Sequence, residues 1–213
     1  MRAGITTMLF SKEMIKMDNY GKILRFAEEN SGYITSKEAS RLNINSTFLC
    51  NLVNAKQLER VVNGIYKLSD YPDDNLYVLS NASKNICYSH ATALYLHNLS
   101  DRIPQILDVT VPYNYSGRLL NDSSVDLHYV KNDIFEFGII EIKTINNLTV
   151  KCYDLERTIC DVIRDKDEMD KELYSKALKE YANSKDKNIL KLIKYAKKLN
   201  VEKEVVELME VLL

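Results

Sequence analysis

Residues 58–68 read LERVVNGIYKL, and this stretch decides the fold of the N-terminal part of the chain. Its centre, Asn63-Gly64, is the dipeptide that best tolerates positive φ at both central positions of a two-residue β-turn. On both sides of the turn the side chains are largely β-branched or aromatic, as they are in strands. The stretch therefore predicts a β-hairpin, formed by Arg60-Val61-Val62 and Ile65-Tyr66-Lys67, with its tip at Asn63-Gly64.

Three short helices are predicted in front of this hairpin. The first begins at Asp18 and stops at Asn30-Ser31-Gly32. The second begins at Thr35-Ser36, where Glu38 completes a capping-box pattern, and the third begins near Ser46. Apolar residues at helical spacing predict the sides that face a core, namely Ile23, Phe26, Ala27, Ala39, Leu42, Leu49, Leu52 and Val53.

Three helices with a tight turn between the last two, followed by a two-stranded wing, predict a winged helix-turn-helix over residues 17–75. In such a domain the third helix enters the major groove of DNA and the wing lies against phosphates. Asparagine pairs with adenine N6 and N7, so Asn51 and Asn54 are suited to reading bases, although solvated surface residues are the alternative. The predicted DNA contacts are Ser46, Thr47, Asn51, Asn54, Lys56, Arg60, Asn63 and Lys67.

Residues 76–213 predict a second domain of mixed α and β structure, which makes the whole chain α+β. A loop rich in Asp and Asn, residues 70–75, precedes it. Residues 86–97 predict a helix, and LDVTV, VDLHYV, GIIEIK and LTVKCY predict four strands. The segment DLERTICDVIRD then predicts a helix with Asp154 as its N-cap. Residues 171–213 predict three helices that end the domain in a bundle.

Four stretches in this order resemble the AbiEi-like antitoxins of bacterial type IV toxin–antitoxin, or abortive infection, systems. They are YITSKEASRLNI, LERVVNGIYKL, YSHATALYLHNLSDRIPQILDVTVP and YDLERTICDVIRD. The resemblance covers nearly all of the chain from Asp18 to its end.

The resemblance implies a two-domain antitoxin that is not an enzyme. Its winged helix would repress its own operon by binding inverted repeats in promoter DNA. Its C-terminal domain would counter a nucleotidyltransferase-like toxin, and this opposition does not require a stable complex. A monomer that binds DNA cooperatively is compatible with the resemblance.

The third helix departs from the family in its charge. Family members often carry arginines at four positions that here are Cys50, Asn51, Asn54 and Ala55. Only Lys56 and Arg60 are basic nearby, and residues 17–75 carry seven basic and eight acidic side chains. Because phosphate neutralisation supplies most non-specific affinity, we expect DNA binding by this domain to be weak and salt-sensitive.

Positive charge is concentrated near the C-terminus instead. Residues 171–198 carry nine lysines against three acidic side chains. Four of the lysines follow one another at spacings of 4, 3 and 4, which places them on one helical face. One interpretation of these lysines is a solvated helix face without a specific function. The resemblance instead implies a basic surface used in toxin neutralisation. The predicted basic face comprises Lys171, Lys176, Lys179, Lys187, Lys191, Lys194 and Lys198.

No catalytic residue is predicted, although one enzyme alternative exists. Asp126 with Glu141-x-Lys143 on the next strand would match a Mg²⁺-dependent nuclease. His90 and His97 are interpreted as helix-packing residues, because Ser89 points in a different direction from His90 and no nucleophile elbow is present. A second alternative is a winged-helix regulator whose C-terminal domain senses a ligand or a partner.

Composition favours a cytoplasmic protein without a cofactor or a metal site. The four cysteines form no C-x-x-C pair, which argues against a zinc site and a disulfide framework and suits a reducing compartment. The six glycines form no phosphate loop, and no apolar run is long enough to span a membrane. Residues 1–16 are interpreted as an N-terminal extension, with Met1, Met8, Met14 and Met17 as alternative starts.

Overall fold

The computed structural model describes residues 18–212, in which helices and two sheets form a mixed α+β fold. The chain divides into two compact units. The first takes in the chain up to Ala82 together with Thr144–Leu148, and the second consists of Ser83–Lys143 and Thr149–Leu213. The boundary predicted between residues 75 and 76 therefore lies one helix too early. The predicted N-terminal extension, with its alternative starts, lies outside the described residues.

The first unit contains four helices and three strands among its described residues. In chain order they are α1 (residues 18–29), β1 (Tyr33–Thr35), α2 (Ser36–Arg41), α3 (Ser46–Asn54), β2 (Leu58–Val62), β3 (Ile65–Leu68) and α4 (Asn75–Ala82). The predicted capping box is confirmed, since the Glu38 N–H donates to the Thr35 hydroxyl while the Glu38 carboxylate accepts from the Thr35 N–H at 2.7 Å. The side chain of Asn45 caps α3 by accepting from the Thr47 N–H at 2.9 Å.

The three strands form one antiparallel sheet in the order β1-β3-β2. Its β2–β3 hairpin confirms the prediction from residues 58–68, whereas β1 was not predicted. The helices pack on this sheet through a shared apolar core, which comprises Ile23, Ala27, Ile34, Ala39, Ile44, Leu49, Leu52, Leu58 and Tyr66. The inward orientation predicted for Leu42 is wrong, because this residue ends α2 and is 37% exposed.

Helix α4 is attached to the first unit through Asp74 and Tyr77. The Asp74 carboxylate accepts from the Tyr77 N–H at 2.9 Å, and the Asp74 N–H donates to the Tyr33 hydroxyl at 2.9 Å. The rings of Tyr33 and Tyr77 meet edge to face with centroids 5.0 Å apart. Thr144 and Asn146 also donate to the Asp74 carboxylate, which explains why the segment Thr144–Leu148 belongs to this unit.

The second unit contains a five-stranded sheet, and its first element is one of these strands. Its elements are β4 (Cys87–Tyr88), α5 (His90–Leu96), β5 (Leu107–Pro112), a 3₁₀ turn (Arg118–Asn121), β6 (Val125–Val130), α6 (Asn132–Phe135), β7 (Ile139–Lys143), β8 (Thr149–Tyr153), α7 (Leu155–Arg164), α8 (Lys171–Asn183), α9 (Ile189–Leu199) and α10 (Glu202–Leu212). The strand order is β6-β5-β4-β8-β7. Pairs β5–β6 and β4–β8 are parallel, and pairs β4–β5 and β7–β8 are antiparallel.

Most predicted elements of the second unit are confirmed. The four predicted strands are β5 to β8, Asp154 caps α7 by accepting from the Arg157 N–H, and the last three helices are α8 to α10. The helix predicted over residues 86–97 is wrong at its beginning. Cys87 and Tyr88 pair with strands on both sides, and α5 begins only at His90, whose φ is 44°.

Helix α7 is the centre of the second unit. Every residue from Glu156 to Ile163 is buried, and apolar side chains of α5, α8, α9 and α10 surround it. A helix enclosed on all sides must also bury its polar residues, and these require partners inside the unit. Across residues 18–212, none of the helices has the length and apolar character that crossing a bilayer demands.

Candidate functional site

The exposed side of α3 carries short polar side chains. Leu49 and Leu52 point into the core of the first unit, which turns the opposite side of the helix to solvent. The residues exposed there include Ser46, Thr47, Cys50, Asn51 and Asn54. The structure thus places four of the predicted DNA contacts together on one accessible helix surface.

Asn51 is held in a defined orientation on this surface. Its amide nitrogen donates to the Tyr20 hydroxyl at 2.8 Å, and the Tyr20 ring meets Phe48 edge to face with centroids 5.1 Å apart. An asparagine amide has two N–H donors and one carbonyl acceptor, so one donor and the acceptor remain available. These two groups are what a bidentate contact with adenine requires.

The hairpin tip is fixed by Gly64 and presents Arg60 and Asn63. Gly64 has φ of 82°, whereas Asn63 lacks the positive φ that the sequence predicted, and the strand register shifts between Arg60 and Val62. The Gly64 carbonyl accepts from the Ser36 N–H at 2.8 Å, which ties the tip to the beginning of α2. Exposed Arg60 donates to the Asn63 side chain. Both predicted contacts of the tip are therefore accessible.

The predicted phosphate contact of Lys67 is wrong. Lys67 lies opposite Glu59 in the hairpin, so it points to the other face of the sheet from Arg60. It is 5% exposed, and its ammonium group pairs with Asp73 at 2.7 Å and with Glu59 at 3.7 Å. The hydrogen bond to Asp73 raises the pKa of Lys67. Lys56 and Arg60 are left as the exposed basic members of the predicted set.

The predicted basic face of the second unit is only partly available. The prediction that Lys191 belongs to an available basic face is wrong. Its ammonium group pairs with the buried carboxylates of Asp154 at 3.1 Å and Glu156 at 2.9 Å. Other members also have partners: Lys176 pairs with Asp101, Lys187 donates to the Ala182 carbonyl, and Lys198 lies 3.9 Å from the centroid of the Phe137 ring. Among residues 18–212, no ion-pair partner is found for exposed Lys171, Lys179 and Lys194.

The alternative nuclease site of Asp126 with Glu141-x-Lys143 is not formed. Asp126 lies on β6 and Glu141 lies on β7, and these strands form opposite edges of the sheet. Four strand spacings separate them, which is about 19 Å. One metal ion cannot bridge carboxylates at that distance.

A cluster of histidines and aspartates occupies the second unit instead. His90 is 2% exposed, and its Nε2 lies 2.8 Å from an Asp165 carboxylate oxygen. Its ring stacks on that of His128 with centroids 3.7 Å apart, and Nε2 of His128 lies 2.9 Å from Asp108. Asp126 pairs in register with Asp108, so it joins the same face of the sheet.

Burial and hydrogen bonds shift the pKa values of two members of this cluster. Burial alone would raise the pKa of Asp165, but hydrogen bonds from His90 and Arg164 outweigh it and hold that pKa well below its usual range. Arg164 reaches Asp165 with two nitrogens, at 3.0 and 2.8 Å. For His128 burial lowers the pKa, yet the hydrogen bond to Asp108 prevails and the net shift is upward.

A cavity of about 610 Å³ opens beside the cluster. His128, Arg164 and Asp165 line one part of it, and Lys198, Tyr113 and Glu168 line another. The cluster is therefore reached from a polar space large enough for a small molecule.

Sequence reasoning missed this cluster because its members are far apart along the chain. His90 and Asp165 are 75 residues apart, and only the pairing of α5 with α7 brings them together. The sequence predicted that Ser89 and His90 point in different directions, which is wrong, because Nδ1 of His90 lies 3.0 Å from the Ser89 hydroxyl. Asp126 was considered apart from both. Of their partners, Asp108 could have been suspected, since an aspartate inside the apolar strand LDVTV is costly to bury without a partner.

Comparisons with known proteins identify the fold and no family. No family model and no curated protein matches the chain. Among solved structures, it is similar to the crystal structure of the RV2827C protein from Mycobacterium tuberculosis, with a TM-score of 0.57 and 8% sequence identity. The match covers 91% of this chain and 76% of that one. At this identity the similarity concerns the arrangement of elements alone.

Proposed function

We propose that the chain is a two-domain antitoxin and transcriptional autorepressor that is not an enzyme. In this proposal the first unit is a winged helix-turn-helix that binds promoter DNA containing inverted repeats. The second unit opposes a nucleotidyltransferase-like toxin. The antitoxin part of the proposal is supported by the four sequence stretches that resemble AbiEi-like proteins, and the DNA-binding part is supported by geometry.

The observation that carries the DNA-binding part is the exposed surface of α3 next to the hairpin. Helices α2 and α3 are joined by a tight turn, and the β2–β3 hairpin follows at once, as recognition helix and wing do in this class of domain. Short polar side chains on α3 suit close approach to base edges. Lys56 and Arg60 supply two positive charges for phosphates.

DNA binding is tested by fluorescence anisotropy with the chain's own promoter fragment at several salt concentrations. Lys56→Ala and Arg60→Ala should each weaken binding to all sequences and lower the salt slope by about one. Asn54→Ala should instead relax preference at one base pair, at a cost of about 1–3 kcal/mol. Lys84→Ala, which removes an exposed charge from the second unit, is the matched control. Unchanged affinity and slope in all three variants would refute the interface.

Cys50 offers an independent probe of the same surface. It is exposed, whereas Cys87, Cys152 and Cys160 are buried. Burial raises the pKa of Cys160 to about 12 and holds that of Cys87 well above its usual value, so these thiols are poor nucleophiles. A bulky maleimide should therefore label Cys50 selectively and abolish promoter binding. The Cys50→Ser variant, treated identically, should keep it.

A ligand-sensing regulator is the second candidate function. It is favoured by the cavity beside the histidine–aspartate cluster, which an antitoxin that acts only through its surface does not need. The two candidates differ in a measurable way. A sensor changes its promoter affinity when the ligand is added, and an antitoxin rescues cells that express the toxin.

A further inference from the structure

We propose that the second unit binds one divalent transition-metal ion through His90, His128 and Asp165. One nitrogen of each imidazole and one carboxylate oxygen of Asp165 all lie within 4.8 Å of one another. Metal–ligand bonds of about 2.0–2.1 Å place the ligand atoms of a tetrahedral site about 3.3 Å apart. The donor atoms are therefore within about 1.5 Å of this spacing, and the two imidazole rings, which now stack with an interplanar angle of 21°, must turn so that a nitrogen of each points at the ion. This inference does not depend on the proposed DNA-binding or antitoxin function.

The donor atoms define the class of metal. Two imidazole nitrogens with one carboxylate oxygen suit Zn²⁺, Mn²⁺, Fe²⁺ and Co²⁺, whereas Mg²⁺ and Ca²⁺ prefer oxygen ligands throughout. Three protein ligands leave at least one coordination position open. That position faces the cavity, because His128 and Asp165 both line it.

The hydrogen bonds around the two histidines match those of metal ligands. Metal-binding imidazoles almost always use their second nitrogen to contact a carboxylate, a carbonyl or a hydroxyl group, which fixes the ring. Nδ1 of His90 lies 3.0 Å from the Ser89 hydroxyl, and Nε2 of His128 lies 2.9 Å from Asp108. A serine hydroxyl both donates and accepts, so Ser89 can serve either tautomer of His90. His90 thus has Nδ1 held by Ser89 and Nε2 directed at Asp165, and His128 is held through its contact with Asp108.

The local charge also favours a cation. Asp108, Asp126 and Asp165 supply three carboxylates, and within residues 18–212 the guanidinium group that contacts one of them belongs to Arg164. With neutral imidazoles two negative charges remain, which a divalent ion would neutralise. Since His90 is almost fully buried, the ion would enter through the cavity, where His128 and Asp165 are accessible.

The test is a titration of the tag-free full chain with Co²⁺, followed by its visible absorption, and a competition with Zn²⁺. Wild type should bind one Co²⁺ per chain, and Zn²⁺ should displace it. His128→Gln and Asp165→Asn should each weaken binding by more than about 100-fold. Ser89→Ala, which only releases His90, should weaken it by about 10–100-fold. Asp133→Asn, a carboxylate of the same cavity outside the ligand set, and His97→Gln are matched controls and should bind as wild type does.

The Co²⁺ titration of the wild-type protein is sufficient to test the proposal. The test therefore remains valid even if a variant fails to fold. Zn²⁺ should raise the thermal unfolding temperature of wild type, because a ligand that binds only the folded state stabilises it. Absence of a one-to-one Co²⁺ complex in wild type would overturn the site. Equal affinities of wild type, His128→Gln and Asp165→Asn would overturn it as well, since the ion would then bind elsewhere.

Discussion

Arg157 is the single residue on which the packing of the second unit depends most. It is completely buried, and its Nε donates to Asp161 at 2.8 Å. Its Nη1 donates to the carbonyls of Ile134 and Phe137, both at 2.8 Å, and its guanidinium group lies 4.0 Å from the centroid of the Tyr153 ring. One side chain thus joins α7 to the loop after α6 and to β8. The spacing of Arg157 and Asp161 on one helix allows an i,i+4 pair, but the sequence cannot reveal that both residues are buried.

Arg157→Met should lower the free energy of unfolding by about 3–5 kcal/mol, because it removes one partner of a buried ion pair and leaves Asp161 paired only with the partly exposed Arg164, at 2.9 Å. Arg157→Lys should fall between wild type and this variant, since an ammonium group cannot reproduce the planar fork. Urea unfolding followed by circular dichroism measures both. Arg102→Met, which removes a 69% exposed side chain paired with Glu172, should cost at most about 1 kcal/mol. Equal urea midpoints for Arg157→Met and Arg102→Met would contradict this account.

At the scale of elements, two glycines with positive φ shape the first unit in different ways. Gly32 has φ of 89° and Gly64 has φ of 82°. A Cβ on Gly32 would lie 2.2 Å from the Tyr71 ring, whereas a Cβ on Gly64 would meet Ser36 at an ordinary 3.7 Å. At position 32 both the positive φ and the nearby Tyr71 ring therefore exclude a side chain. At position 64 only the positive φ disfavours one.

The three glycines among the described residues of the first unit, Gly21, Gly32 and Gly64, should differ in the effect of a change to Ala. Gly64→Ala should destabilise by about 1–2 kcal/mol, the cost of a left-handed conformation for an L-residue. Gly32→Ala should cost about 1–3 kcal/mol more, because the Tyr71 ring must be displaced. Gly21→Ala, in the middle of α1 without a close contact, should instead stabilise by about 0.5–1 kcal/mol. Thermal unfolding ranks the three variants, and a Gly32→Ala protein as stable as Gly64→Ala would refute the packing argument.

Elements with a strong local pattern were predictable, and elements defined by their partners were not. Strands β5 to β8 and helices α7 to α10 follow from alternation, helical spacing and caps inside their own segments. Strands β1 and β4 have three and two residues, and they exist because β3, β5 and β8 lie beside them. The same limit applies to the sites. The polar face of α3 was visible from helical spacing, whereas the burial of Lys67 depends on the hairpin register and the His90–Asp165 contact depends on the fold.

At the scale of the whole molecule, the first unit is not one continuous segment. Asp74 caps α4 and also accepts hydrogen bonds from Thr144 and Asn146. A fragment of residues 1–82 keeps the cap and α4, which packs on β2 and β3, although it loses Thr144–Leu148. It should unfold cooperatively in urea. A fragment of residues 1–75 loses the buried Tyr77 and Leu79 and should be less stable by about 3–5 kcal/mol. Equal stability of the two fragments would mean that the first domain ends at residue 75, as the sequence predicted.

The division into units also makes the two proposed activities separable. The 1–82 fragment should bind promoter DNA and fail to rescue cells that express the toxin. In the full chain, the basic face is best tested with Lys171, Lys179 and Lys194, because a Glu at position 191 would lie beside the buried Asp154 and Glu156 and unfold the protein. The triple change of these three lysines to Glu should preserve folding and promoter binding, since exposed residues without partners contribute little to stability.

Rescue by the triple variant should be lost, because like charges facing an acidic partner cost several kcal/mol. The control is a triple change to Glu at Lys84, Lys131 and Lys166, which are exposed elsewhere in the second unit and give the same change in net charge. This control should rescue as wild type does. If the variant at Lys171, Lys179 and Lys194 folds by circular dichroism and still rescues fully, the three lysines form only a solvated surface, and toxin opposition must come from another part of the second unit. If both triple variants lose rescue, net charge matters and the position of the lysines does not.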